Sequence, residues 1–450
     1  MNYYTLRTTY RPHYSALLRL GVPILIGQVG MTILGLADTL MIGHHTTAEL
    51  GAASFVNNVF NFAILFSMGF AYGLTPVVGS FFGRKEYDKA GLSLRVSLYA
   101  QALVTLIVVA VMGVVYLYID HLGQPRELLP IIRPYYLLML VALVFKNIFT
   151  GFKQFADSIT ETQIGMWILI SANLLNIAGN YVLIYGKLGF PEWGLFGAGV
   201  STLFSNIVMV IAFVWVFASH HKFRPYHRGF RMRDRQQSLS LFRRFNALGW
   251  PIAFQIGMET ASFSLSAMMA GWIGTEALAS HQIMITVSTL NFMIYYGIGS
   301  AIAIRVSHFS GQHDTRNIQH TTTAGFHLIL LSGIFLSLFI FLFRYQLGGW
   351  FTHNAEVSAM VCTLVVPFLF YQFGDGLQIT YANALRGISD VRVMMFIAFV
   401  AYFIIGLPAG YLFAFIFGWG ITGIWMTFLF GLTSAGLMYW LRFRHSLKSR

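Results

Sequence analysis

Four ionisable side chains stand well inside long apolar runs of this 450-residue sequence: Asp38, Lys146, Glu259 and Asp375. A charge at the centre of a bilayer costs about 2.5–3.5 kcal/mol on insertion scales, so such residues face a protein interior or a wet cavity. Glu259 and Asp375 fall in the same half of the chain. Gln255 precedes Glu259 by four residues and Tyr371 precedes Asp375 by four, the spacing that puts helical side chains on one face. Hard cations such as Na⁺ take oxygen ligands, and a carboxylate can take a proton instead. The set Glu259, Asp375, Tyr371 and Gln255 therefore suits a Na⁺ or H⁺ site. The plainer alternative is a pair of neutral carboxyls hydrogen-bonded for helix packing.

In the first half, Asp38 has a polar set to meet in LLNIAGNYVLIYG, residues 174–186, where Asn176 and Asn180 recur four apart. Amides there can coordinate a cation or bond a protonated acid, or serve as ordinary interhelical contacts. Lys146 either snorkels or pairs with an acid and is given no role. His281, His308 and His327 are expected to serve packing or hydration rather than a proton relay.

The elements that hold these groups are membrane helices. The chain is 56% hydrophobic and only 10% charged, against about 25% charged in soluble domains. Twelve apolar runs have spanning length: about 20–42, 54–80, 91–118, 132–152, 163–185, 195–219, 246–271, 282–307, 321–344, 356–382, 393–417 and 420–441. They are too long for the strands of a membrane barrel. The polar, basic segment before residue 20 has no signal-peptide pattern, so the first run is expected to be a retained helix.

With an inner N-terminus, nearly all Lys and Arg fall in inner segments; Arg126, Arg133, Lys187 and Arg344 fall outside and Lys146 within a helix. The net charge of +13 is thus topogenic, and both termini are expected in the cytoplasm. The basic block HHKFRPYHRGFRMRDRQQSLSLFRRF, residues 220–245, reads as a cytoplasmic linker rather than a nucleic-acid patch. The single cysteine, Cys362, excludes an intramolecular disulfide framework or a cysteine-built metal site. No H-E-x-x-H, Walker A or G-x-S-x-G pattern occurs. Neither an enzyme nor an ATP engine is expected, and no cofactor beyond a coupling ion.

The sequence repeats itself. LGVPILIGQVGMTILGLADTLMIG at 20–43 has its counterpart in LGWPIAFQIGMETASFSLSAMMAG at 248–271, an offset of 228 that also pairs Gly69 with Gly297 and Gly83 with Gly311. Later the offset becomes 233 and pairs Asp157 with Asp390. Six helices per repeat give parallel repeats, with sites between them near mid-membrane. The expected fold is all-α: two six-helix lobes, 1–225 and 226–450, related by a pseudo-two-fold axis normal to the membrane. Pro23 and Pro251 sit near the starts of the matching helices, with a kink left open.

The motifs L-G-x-P-I, A-D-T-L-M-I-G at 37–43, the 174–186 run and A-L-R-G-I-S-D-V-R at 384–392 resemble the multidrug and toxic compound extrusion (MATE) family over essentially the whole chain. The resemblance implies a V-shaped cleft and cation-driven export of organic, often cationic aromatic, compounds. It also implies a bacterial branch whose cation site lies in the C-terminal lobe, carried here by Glu259, Asp375 and Tyr371, with Asp38 as the N-lobe acid. A second branch has an aspartate where Asn180 stands, which puts a self-contained N-lobe proton switch in doubt. The expected partners are small organic cations and the bilayer, not nucleic acid. The expected setting is a bacterial inner membrane, and the expected state a monomer. The alternative is a flippase for a lipid or lipid-linked sugar on a related fold.

Overall fold

In lipid, every backbone N–H and C=O must be satisfied within the chain, and an apolar run of about 20 residues does this as a helix. The computed structural model describes residues 3–449, with side chains from residue 9 onward, and among the described residues it is all-α. Twelve long helices follow in order: α1 Tyr3–His45, α2 Thr47–Gly83, α3 Tyr87–Leu117, α4 Leu129–Ser158, α5 Thr162–Ile184, α6 Gly194–Ser219, α7 Arg235–Ile273, α8 Thr275–Gly311, α9 Thr315–Leu342, α10 Ala355–Gly387, α11 Arg392–Ile416 and α12 Gly420–Lys448. Eleven are apolar enough to cross a membrane by length and composition. The remaining one, α7, has 39 residues, but Gln255, Glu259, Thr260, Ser262, Ser264 and Ser266 lower its hydropathy. Its polarity marks it as the helix most committed to a protein interior.

α7 also starts inside the expected linker. Asp234 Oδ1 accepts from the Gln237 backbone N at 2.9 Å and so caps the helix. A short helix, Arg224–Arg231, precedes it with Tyr226 and Gly229 buried. A Cβ on Gly229 would lie 1.8 Å from the Asp88 carbonyl oxygen, so this glycine allows the basic segment to dock against α3.

Four connections are one turn used four times. Lys85, Thr160, His313 and Ser389 have φ of +61°, +71°, +58° and +66°. In each case the next residue's N–H closes back on the preceding helix: Glu86 to Phe81 O (2.9 Å), Glu161 to Ala156 O (2.8 Å), Asp314 to Phe309 O (3.0 Å) and Asp390 to Leu385 O (3.0 Å). This left-handed helix end ordinarily takes glycine. Each time an acid follows, next to the start of the coming helix, where the dipole favours negative charge. Lys85 and His313 stand 228 residues apart, the same offset as the sequence repeat. A side chain in this conformation costs about 1 kcal/mol or more. Lys85→Gly is therefore expected to raise the thermal midpoint of the detergent-solubilised protein and Lys85→Val to lower it. Equal midpoints for the two variants would contradict the strain.

The chain gathers into two compact units: Ile26–Ala253, and the chain up to Leu25 joined to Phe254 onward. The boundaries fall within α1 and α7, just after Pro23 and Pro251, and themselves repeat at 228. Both helices run through their prolines unbroken. Close glycine contacts account for the division. In one unit Gly21 of α1 packs on Gly297 of α8, where a Cβ on Gly297 would meet the Gly21 carbonyl oxygen at 2.8 Å. In the other, Gly249 of α7 packs on Gly73 of α2, with a Cβ on Gly73 2.8 Å from the Gly249 backbone N. Glycine lets helix backbones approach this closely. The expected division at 225/226 falls in the Arg224–Arg231 helix, which belongs whole to the Ile26–Ala253 unit.

α11 departs from regular α geometry over Val400–Gly406, a π-helical segment in which the Leu407 N–H bonds the Tyr402 carbonyl. Pro408 follows immediately. It has no N–H and its ring crowds the carbonyl four residues back, so the wider register relieves the ladder at this point. The segment carries Tyr402 into the unit interior, where it is 3% exposed.

Candidate functional site

The acids of the second half meet in one cluster. Glu259 comes from α7, and its Oε2 accepts from Gln255 Nε2 at 2.9 Å and from Gln378 Nε2 of α10 at 3.2 Å. Gln378 Nε2 also donates to the Tyr402 hydroxyl of α11 at 3.2 Å. Asp375 lies one helical turn before Gln378 and one after Tyr371, so the three share a face of α10. It is 4% exposed and within electrostatic reach of Glu259. No hydrogen-bond donor reaches its carboxyl among the described residues. Tyr371 is buried, and its hydroxyl hydrogen-bonds that of Ser288 on α8.

The polar groups left over define what the cluster can hold. Gln255 Oε1 and Gln378 Oε1 are buried oxygens with no hydrogen-bond partner among the described residues. A buried acceptor left unsatisfied is costly, as is a buried carboxylate without donors. Both amide nitrogens point at Glu259, and the turn of each amide leaves an oxygen free. Two carboxylates and two amide oxygens form the all-oxygen donor set that suits a hard cation, and either carboxylate can take a proton in its place. No group of three or more His, Cys, Asp or Glu that could hold a metal occurs among the described residues. The donor set therefore does not suit a transition metal.

A second layer fixes α8 and α10. Asn291 Nδ2 donates to Gln372 Oε1, and Tyr295 OH donates to the same oxygen at 3.3 Å. Tyr371 sits edge-on to Trp425 of α12 at 5.8 Å between ring centroids. His281 lies in this aromatic wall, stacked on Phe428 at 6.0 Å, with its Nδ1 unpartnered. His327 is elsewhere, with its Nδ1 2.8 Å from the Tyr14 hydroxyl.

In the Ile26–Ala253 unit, Asp38 does face helix α5. Asn180 Nδ2 donates to Asp38 Oδ1 at 2.6 Å and lies 3.2 Å from Asn176 Oδ1. With its amide turned, Asn176 donates to Asp38 Oδ1 at 3.1 Å and accepts from Thr202 at 3.2 Å. Asp38 is half-buried and served by neutral amides, with no second acid beside it. Lys146 on α4 pairs with no acid among the described residues.

Sequence spacing brings Gln255 to Glu259 and Tyr371 to Asp375. It missed Gln378 and Tyr402. Gln378 was within reach of the same argument, since it stands three residues after Asp375 on the same helical face. Tyr402 was not, because its placement depends on the π-helical register.

Twelve membrane helices in two sequence repeats, with buried carboxyls on facing helices, define a multi-pass membrane transporter rather than an enzyme. The MatE family model matches residues 23–182 and 251–412, once in each repeat, and the chain belongs to the MatE family. The two matches start 228 residues apart. The chain is similar to the multidrug resistance protein NorM of Vibrio cholerae, 29% identical over 444 residues and 96% of each chain. It is also similar to the probable multidrug resistance protein NorM of Bradyrhizobium diazoefficiens, 32% identical over 441 residues, 95% of this chain and 92% of that one. Its fold matches the crystal structure of the Vibrio cholerae MATE transporter VcmN with a TM-score of 0.88, at 17% identity over 98% of this chain and 99% of that one.

Proposed function

We propose that the protein is a cation-coupled antiporter that exports organic, often cationic aromatic, compounds, with Na⁺ or H⁺ exchanged at Glu259 and Asp375. The observation that carries this reading is Asp375, a buried carboxyl without a donor, beside a glutamate flanked by two unpartnered amide oxygens. A proton or a cation relieves that arrangement, and a neutral packing role does not use the free oxygens. The relatives' printed names support the cargo: both are called multidrug resistance proteins.

In this reading Glu259 is the group that changes partner, and Gln255 and Gln378 hold it between α7 and α10. Tyr402, bonded to Gln378, links the site to the π-helical segment of α11. Tyr371 screens Asp375 from the aromatic wall. Asp38 acts in its own unit as a single acid held by Asn176 and Asn180, so Asp38→Asn impairs export less than either C-terminal substitution. The test is dye export into everted vesicles with Na⁺ and pH gradients imposed separately. Export driven by one of them supports the reading, and export that ignores both sinks it.

The proposal includes a bacterial inner membrane, both termini in the cytoplasm, and a monomer. Gln237 reports the orientation best. It is exposed beside the Asp234 cap, whereas the neighbouring Ser238 hydroxyl is engaged with the Asp234 carbonyl at 2.6 Å. Gln237→Cys in a Cys362→Ser background is expected to resist an impermeant maleimide in intact cells and to react in everted vesicles. Labelling of intact cells would reverse the topology.

A further inference from the structure

A cavity of about 390 Å³ lies apart from the acid cluster, between the early part of α1 and the α8–α9 turn. His13, Arg305, Phe309, Arg316, Asn317 and His320 line it. It sits near helix ends: Arg305 is six residues from the end of α8 at Gly311, about 9 Å along the axis. Arg316, Asn317 and His320 belong to the first two turns of α9. That is the depth of lipid headgroups, and the positive end of the α9 dipole lies there too.

The lining is basic and only partly compensated. His13 and His320 have ring centroids 5.8 Å apart. His13 is 7% exposed and fixed by Thr321 Oγ1 at 2.9 Å from its Nδ1. The Arg305 guanidinium is held 4.7 Å over the Phe309 ring. Its Nε is buried without a hydrogen-bond partner, and no carboxylate pairs with it among the described residues. The acid in the adjoining turn, Asp314, has both oxygens taken by Asn317: Oδ1 by the backbone N at 3.0 Å and Oδ2 by Nδ2 at 2.6 Å. A rigid guanidinium fork and a second arginine, beside two imidazoles and a helix N-terminus, surround a space that no acid of the chain fills. Guanidinium forks match the oxygens of phosphate in paired, charge-assisted hydrogen bonds.

We propose that this cavity binds a phosphate-bearing anion, with Arg305 as the oriented donor and Arg316 closing over it from α9. A phospholipid headgroup and free phosphate share this chemistry, and two arms of one experiment separate them. In the first, the full-length protein is taken from nanodiscs of equimolar phosphatidylcholine and phosphatidylglycerol, and phosphatidylglycerol adducts are counted by native mass spectrometry. In the second, inorganic phosphate is titrated into the detergent-solubilised protein and the thermal midpoint is followed.

Arg305→Gln is expected to lower the responding signal about tenfold, and Arg316→Gln, at an exposed position where folding is not at risk, to lower it in the same arm. A response confined to the first arm assigns a lipid headgroup, and one confined to the second assigns free phosphate. Responses in both support the shared site. Arg344→Gln, an exposed arginine outside the cavity, should leave both signals unchanged. The proposal is overturned if neither arm responds to the Arg305 and Arg316 substitutions, or if Arg344→Gln lowers the signal as much as they do.

Discussion

Glu259→Gln is expected to reduce export of a fluorescent cationic dye to the level of cells lacking the protein, at matched expression. The side-chain oxygen of glutamine can still accept from Gln255 and Gln378, which reach Glu259 Oε2 at 2.9 and 3.2 Å. The helix contacts survive, so the variant should elute as a folded species from size exclusion. What disappears is the single negative charge for which a proton, a coupling cation and a cationic drug compete. Linked sites typically change one another's affinity by about 5–150-fold. Without the charge that factor falls toward one, and a gradient at one site no longer drives the other. Wild-type export by Glu259→Gln would remove the residue from the mechanism.

Asp375→Asn should abolish coupling too, and its stability should separate it from Glu259→Gln. The Asp375 carboxyl is buried and has no donor among the described residues, so the folded protein gains nothing from its charge in the absence of a cation. Replacing an unsupported buried charge with a neutral isostere is neutral or stabilising. The cation-free thermal midpoint of Asp375→Asn should therefore equal or exceed that of the parent. A coupling cation present at about 100 times its Kd stabilises the parent by about 2.7 kcal/mol. Asp375→Asn should lose most of that increment, because one carboxylate is a poorer cage for a hard cation. A midpoint well below the parent, with the cation increment kept, would make Asp375 a structural residue.

The sequence made the helices readable because lipid allows few alternatives. Each apolar run of spanning length is a helix, and the 228-residue offset that pairs Gly69 with Gly297 also pairs the left-handed residues Lys85 and His313. The acids could be placed in pairs with their neighbours because i, i+4 spacing fixes a helical face. The handover of α1 and α7 between compact units was not readable. It depends on glycine contacts such as Gly21 with Gly297, which spacing within one helix does not reveal. Tyr402 was hidden for a similar reason, since the effect of Pro408 on the α11 register acts through backbone hydrogen bonds. The repeated turn was visible only in part: an acid follows each left-handed residue, but Lys85, Thr160, His313 and Ser389 are four different residue types where a glycine would have announced the cap.

The most direct test uses reconstituted protein and runs the exchange backwards. Proteoliposomes are loaded with a cationic drug and diluted into drug-free buffer, and movement of Na⁺ or H⁺ against the drug is recorded without any imposed ion gradient. Coupling is reciprocal, so outward drug flow through the parent protein should draw one of these cations inward, and Glu259→Gln should show neither flux above empty liposomes. Drug efflux from the Glu259→Gln proteoliposomes with cation movement equal to the parent's would contradict the claim that this carboxylate is where drug and cation meet.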